Sequence, residues 1–339
     1  MMRDDDELIA SCLRTMRLDP VRVRQRRRLP GAGSGSGVYL LRFDEGEVVL
    51  KITRHRGGEG VPGARREVRF YRELAPRLPV LAPRLLASAD GDQVTCLLLS
   101  AAHPASQANG WTRRRWVEVA SELGTLHGSG VALAEASGWL RRIRPLEQHD
   151  AAGAMAYWRK AGCADLAEQL LAASPALATA VAALPDCLVH GDCHTGNLLV
   201  DAAGELVWAD WQEVSIGHGP EDLALLWQRA EFDGARPPRS AMLAVYARAR
   251  GLASDVVLRR SMVAAELLLL LLAWPQHLIV ADSGRCRLMI RRLYRLAAAW
   301  QRSHRSPADN DARPPDIDAD SPPPRDDWSA GHGTITVQE

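Results

Sequence analysis

Lysine is almost missing from this chain. Only Lys51 and Lys160 occur in 339 residues, and arginine fills every other basic position. Net charge is almost missing too. The formal value of +1 leaves no overall field to attract nucleic acid or an anionic membrane. The arginines Arg26, Arg27 and Arg28 lack interleaved aromatics, so they read as a solvated strand face and not a nucleic-acid patch. The six cysteines are scattered without a C-x-x-C pair and are expected as buried or incidental thiols. The longest apolar run, Leu267 to Trp274, is far short of the about 20 residues that span a bilayer and predicts a buried helix. No apolar leader follows Arg3 and its acidic neighbours. A cytoplasmic protein with a small-molecule partner is the resulting expectation.

Hydrophobic residues at 47% and charged ones at 24% describe a globular chain long enough for about two lobes. Its most informative stretch runs from His190 to Trp211 and reads HGDCHTGNLLVDAAGELVWADW. Leu198-Leu199-Val200 and Leu206-Val207-Trp208 are strand-type runs separated by the turn-forming Asp201-Ala-Ala-Gly204, so the segment predicts a β-hairpin. Asp192 and Asn197 precede the first strand and Asp210 follows the second, which returns all three to one end. Transfer of a γ-phosphoryl group needs a carboxylate beside the acceptor hydroxyl and oxygen ligands for Mg²⁺. Those three residues supply both. Cys193 lies inside the stretch, but nothing around it forms a Cys–His pair.

The His-Gly-Asp-x-His-x-Gly-Asn pattern, followed thirteen positions after the Asn by Asp210-Trp211, resembles the aminoglycoside phosphotransferase family, a branch of the protein-kinase-like fold related to choline kinases. Protein kinases keep the same five-residue step from Asp to Asn. The resemblance implies an α+β, bilobal fold: a small antiparallel sheet with a helix over residues 1–100, a larger, mainly helical lobe over 101–302, and a tail over 303–339 whose Pro, Asp, Ser and Gly predict disorder. It implies Asp192 as the catalytic carboxylate, and Asn197 and Asp210 as Mg²⁺ ligands. His190 would brace the loop. His194 would face either the reacting groups or the loop backbone, and Trp211 would support the site.

Other segments fit the same frame. A glycine-rich stretch containing Gly33, Gly35 and Ser36 runs into a strand, where bare backbone N–H groups approach phosphates. Alone it is a weak signal. Glu47 to Ile52 is a β-type run carrying Lys51, and a lone lysine among arginines points to a need for a compact ammonium. By resemblance Lys51 pairs with the nucleotide phosphates. Glu67, on the amphipathic helix from Gly63 to Leu74, would fix it, with Glu73 the weaker candidate. Ser100 to Pro104, with Ser100 and Ala102, would be the hinge that contacts the nucleotide base. A helix is expected from Arg113 to His127, ended by Gly128, and further helices over Ala151–Ala183. Asp222 and Pro220 are expected as a turn and helix cap. Gln212 departs from the family, where an acid is frequent.

The implied activity is Mg²⁺-dependent transfer from ATP or GTP to a hydroxyl of an antibiotic. Aminoglycosides demand a strongly acidic pocket. Glu221, Glu231, Asp233 and Glu266 stand among leucines, alanines and arginines, which favours a less cationic acceptor such as a nucleoside, macrolide or peptide antibiotic. Two alternatives stay open: a metabolic kinase for choline, homoserine or a sugar, and a nucleotide-binding pseudokinase. Choline would require an aromatic cage, for which Trp158, Trp208, Trp211 and Trp227 are at hand.

Overall fold

The structure, a computed structural model, describes residues 2–29, 36–55, 61–143, 149–253 and 255–303. Gly33, Gly35 and the tail beyond residue 303 lie outside the described residues.

Five strands form an antiparallel sheet in the order β1-β2-β3-β5-β4: β1 (Gln25–Arg28), β2 (Ser36–Phe43), β3 (Gly46–Arg54), β4 (Leu85–Asp90) and β5 (Val94–Ser100). All four residues of the edge strand β1 are exposed, which accounts for its arginines. The two-residue period of β5 divides its side chains between two layers. Cys96 and Leu98 join Leu41, Leu50 and Ile52 under helix α1 (Met2–Thr15), which contributes Ile9, Cys12 and Leu13. Leu97 and Leu99 face the other way, towards Val68, Phe70, Tyr71 and Leu74 on and just beyond α2 (Val61–Glu73). This second face is continuous with the core of the helical part, so α2 belongs to both.

After the short strand β6 (His103–Pro104), the chain is mainly helical: α3 (Arg113–Ala136), α4 (Ala151–Lys160), α5 (Ala164–Ala172) and α6 (Ser174–Val181). Then come β7 (Cys187–Val189), the hairpin β8 (Leu198–Val200) and β9 (Leu206–Trp208), and β10 (Ser215–Gly217), which pairs with β7. Helices α7 (Pro220–Phe232), α8 (Arg239–Arg250) and α9 (Asp255–Leu268) follow. The apolar run expected as a buried helix continues α9 as a π-helical turn over Leu269–Ala273, before α10 (Pro275–Leu278) and α11 (Ser283–Arg302). No helix among the described residues is long and apolar enough to cross a membrane.

One expected boundary is wrong. α3 does not stop at Gly128 but runs on to Ala136, because its glycines serve contact and not termination. A Cβ at Gly124 would stand 2.7 Å from the Tyr246 carbonyl oxygen and 2.9 Å from the Ala249 Cβ, and one at Gly130 would stand 2.8 Å from the Leu188 Cβ. These glycines let α8 and β7 close onto α3. Gly124→Ala should therefore destabilise the fold by about 1–3 kcal/mol through overpacking, outweighing the gain of about 1 kcal/mol from better helix propensity. Urea unfolding midpoints of the two proteins check this.

Candidate active site

The catalytic-loop candidates grow out of β7, whose three residues are fully buried. The loop is held from below by Asp222, in the first turn of α7. Its carboxylate accepts from the His190 N–H at 2.7 Å, the Gly191 N–H at 2.9 Å and His127 Nε2 at 3.2 Å. This corrects the expected role: Asp222 clamps the loop rather than capping a helix. The partners behind it were not foreseen. His127 Nδ1 bonds the Tyr246 hydroxyl at 2.8 Å, which in turn accepts from Arg250 Nη1 at 2.9 Å. Burial pushes the His127 imidazole below its ordinary range, so it stays neutral. Gly219 makes room for this network. Its φ is +92°, and a Cβ there would lie 2.6 Å from both Arg250 Nη1 and His127 Nδ1.

His190 is buried and spans the loop. Its Nε2–H donates to the Ala209 carbonyl at 2.9 Å, while Nδ1 accepts from the Asp192 N–H at 3.3 Å. Ala209 also donates its N–H to the Asn197 carbonyl at 2.9 Å. The hairpin is thereby stitched to both ends of the loop, which returns Asp210 to the end of the hairpin where Asn197 stands. Asn197 Nδ2 donates to the Asp192 carbonyl at 2.9 Å and to its carboxylate at 3.2 Å. His194 Nδ1 accepts from the Gly196 N–H at 3.1 Å, and its Nε2 is 3.6 Å from Asp192 Oδ2, so the ring meets both the loop backbone and the carboxylate.

Burial drives the Asp192 carboxyl upward, but His194, His190 and the Asn197 amide overcome it and hold the pKa at about 2. The folded value lies below the unfolded one. The resulting stabilisation is therefore present above about pH 4 and lost as pH falls towards 2. A ¹³C carboxyl titration, with Asp192 assigned by its loss in Asp192→Asn, should show this residue fully ionised at pH 4.

Lys51 points into the same centre from β3, directly opposite Val38 of the strand that the glycine-rich segment enters. Its ammonium lies 2.8 Å from Glu67 Oε2 and 2.7 Å from Asp210 Oδ1. Burial disfavours the charge, yet the two flanking carboxylates more than offset it and raise the Lys51 pKa. Glu67, rather than Glu73, is the buried partner. Glu73 instead accepts from Trp139 Nε1 at 2.8 Å and pairs with Arg69. Asp210 adopts a left-handed backbone, φ 63° and ψ 63°, a conformation uncommon outside glycine. That twist turns its carboxylate towards Lys51 as the chain leaves β9. Trp211 is fully buried, stacked on Phe70 at 4.3 Å, and donates Nε1–H to the Trp208 carbonyl at 2.6 Å. It supports the loop and has no face for a substrate.

The metal candidates were tested by their donor chemistry. Asn197 spends its amide NH₂ on Asp192, leaving its oxygen, and Asp210 has one carboxylate oxygen beyond the one facing Lys51. A carboxylate and an amide oxygen are the hard donors that Mg²⁺ takes, so these two residues could hold it together with substrate phosphates and water. The hinge candidates fare less evenly. Ser100 donates its N–H to the Arg84 carbonyl at 2.9 Å, and its hydroxyl accepts the Arg84 N–H at 2.8 Å while keeping its own O–H to donate. Ala102 is half-buried and unpaired in the sheet. Ser36 opens β2.

Several aromatic and thiol candidates belong to the core. Trp158, Trp208, Trp211 and Trp227 are each at most 1% exposed, so none forms an acceptor platform or cationic cage. Trp158 donates to the Leu271 carbonyl at 2.9 Å. Cys193 is fully buried, and that burial pushes its thiol far above the usual range, which rules out a thiolate nucleophile.

Comparison with known proteins agrees with this geometry. Among curated protein sequences none matches. Among solved structures, an aminoglycoside-3'-phosphotransferase of type VIII is 26% identical with a TM-score of 0.51, over 76% of this chain and 97% of that one. A choline kinase from Cryptosporidium parvum Iowa II has a TM-score of 0.60 at 13% identity, over 86% and 94%. A spectinomycin phosphotransferase, solved in complex with ADP and spectinomycin, has a TM-score of 0.54 at 13% identity, over 88% and 98%. The architecture is thus the bilobal, protein-kinase-like one. The family model described as "Phosphotransferase enzyme family" matches residues 27–260, more than half of the sequence, and the chain belongs to that family of phosphoryl-transfer enzymes.

Proposed function

We propose that this phosphotransferase uses Mg²⁺ and ATP or GTP to phosphorylate a hydroxyl of an antibiotic-type small molecule less cationic than an aminoglycoside. The observation that carries the reading is Lys51 held between Glu67 at 2.8 Å and Asp210 at 2.7 Å, with Asn197 bonded to the Asp192 carboxylate and, through its carbonyl, to Ala209 beside Asp210. Asp192 orients the acceptor hydroxyl and takes its proton. Lys51 positions the α and β phosphates, with the segment containing Gly33, Gly35 and Ser36 and the link at Ala102 completing the nucleotide site. Asn197 and Asp210 would hold Mg²⁺, which when bound neutralises charge on the phosphates. Since the transition state is loose, positioning and charge neutralisation matter more than basicity, and a carboxylate held near pKa 2 is adequate for Asp192.

The charges on the acceptor side support the narrower acceptor class. Glu231 and Glu266 are neutralised by Arg239 and Arg292 in a buried network. Glu221 turns back to the His218 N–H. Arg229 lies seven residues beyond Asp222, on the same face of α7, and forms no ion pair among the described residues. His277 feels both the Arg229 guanidinium and the Asp192 carboxylate. A polycation would meet the Arg229 charge there. Choline would need a cage that the four buried tryptophans do not provide.

The test is nucleotide consumption with Mg²⁺ and ATP or GTP against aminoglycoside, macrolide, peptide and nucleoside antibiotics, beside choline, homoserine and sugars, with product masses recorded. One added phosphoryl group on a weakly cationic antibiotic is expected. Turnover confined to a metabolite would make the chain a metabolic kinase. Nucleotide binding without any acceptor-dependent turnover would favour a pseudokinase.

A further inference from the structure

Position 212 carries glutamine where an acid is frequent in the family, yet the structure does not lack an acid at this junction. Arg66 Nη1 donates to the Gln212 carbonyl at 2.7 Å and to Glu213 Oε2 at 3.2 Å. Arg141 pairs with the same Glu213 oxygen. The Glu213 backbone lies against the catalytic loop: Gly191 has φ +82°, and a Cβ there would collide with the Glu213 carbonyl. The segment carrying Arg141 is itself fixed, with the Ile143 N–H donating to the Ile216 carbonyl and the Ile216 N–H to the Arg141 carbonyl, both at 2.8 Å. Three separate parts of the chain therefore meet at one residue, two of them at its carboxylate and the loop at its backbone.

From this junction we infer that Glu213 is a positioning residue that locks α2 onto the catalytic loop and so sets the Lys51–Glu67–Asp210 cluster. The helix carries Arg66 and Glu67 side by side, with Phe70 one turn further stacked on Trp211 at 4.3 Å. Fixing Arg66 therefore fixes the neighbour that holds Lys51. Glu213 also separates two guanidiniums. Only 11% of the Arg66 side chain is exposed, so this cation depends on its counter-charge, and Arg141 acts on it with the same sign. Without the Glu213 charge, Arg66 and Arg141 would face each other unbalanced, and α2 would be driven from the loop. The consequence for nucleotide binding rests on the function proposed above. The consequence for α2 does not.

The experiment combines hydrogen exchange on the free protein with titration of Mg²⁺-ATP and Mg²⁺-GTP, for wild type, Glu213→Gln, Arg66→Met and the double variant. Glu213→Gln should speed exchange in residues 61–73 while leaving α8 protected as in wild type. It should weaken affinity for the nucleotide that wild type binds by about tenfold, and the double variant should lose no more than the worse single one. Glu213→Asp should restore part of both. Unchanged exchange in α2, a uniform loss of protection that includes α8, or additive losses would each overturn the inference. Wild-type protein that binds neither nucleotide would overturn the proposed function instead, while the exchange measurement still decides whether the lock exists.

Discussion

Asp192→Ala should reduce turnover by about 10²–10⁴-fold, the range for removing a group that handles the transferred proton, and leave nucleotide affinity close to wild type. The substitution is a clean one for a structural reason. Asn197 Nδ2 donates to the Asp192 backbone carbonyl at 2.9 Å as well as to the carboxylate, so alanine keeps one anchor of the loop. The Asp222 clamp acts on His190 and Gly191 and is untouched. Asparagine would be less clean, because its own NH₂ could face that of Asn197. Single-turnover measurement with the best acceptor, beside direct nucleotide titration, separates chemistry from binding. Full turnover in Asp192→Ala would remove the assignment of this residue. Loss of nucleotide affinity in equal measure would show that the loop had collapsed.

What could be read from sequence was what is local. The β8–β9 hairpin returns Asp210 to Asp192 and Asn197 within 19 residues, and strand and turn residues specify that geometry without help from the rest of the chain. The pairing of Lys51 with Glu67 came from resemblance and spacing on α2, and the structure places those atoms together. What failed to show was tertiary. Gly128 reads as a helix stop until α8 is known to lie against α3, and the Gly124 contacts with Tyr246 and Ala249 cross more than a hundred residues. Trp158 and Trp227 read as material for an aromatic cage, since periodicity does not say which neighbour covers them. Gln212 reads as a missing acid only while the pairing of Arg66 with the neighbouring Glu213 is unseen.

Asp222→Asn should cost about 3 kcal/mol of stability and about a hundredfold in turnover, a second large effect without direct contact with substrate. Asp222 is buried, and its carboxylate meets three donors and, among the described residues, no arginine or lysine. An asparagine there offers one oxygen where two accept backbone N–H groups, and turns an NH₂ towards at least one donor. The His190 and Gly191 N–H groups cannot rotate away, because His190 is tied to Ala209 and Gly191 is packed on Glu213. The strain must then move the loop that carries Asp192. Displacement of about 1 Å is enough for the predicted loss in rate. Asp222→Asn and Asp192→Ala therefore differ in a measurable way: the first lowers the unfolding midpoint and turnover together, the second turnover alone. An Asp222→Asn protein with wild-type thermal stability and wild-type turnover would show that the clamp is dispensable.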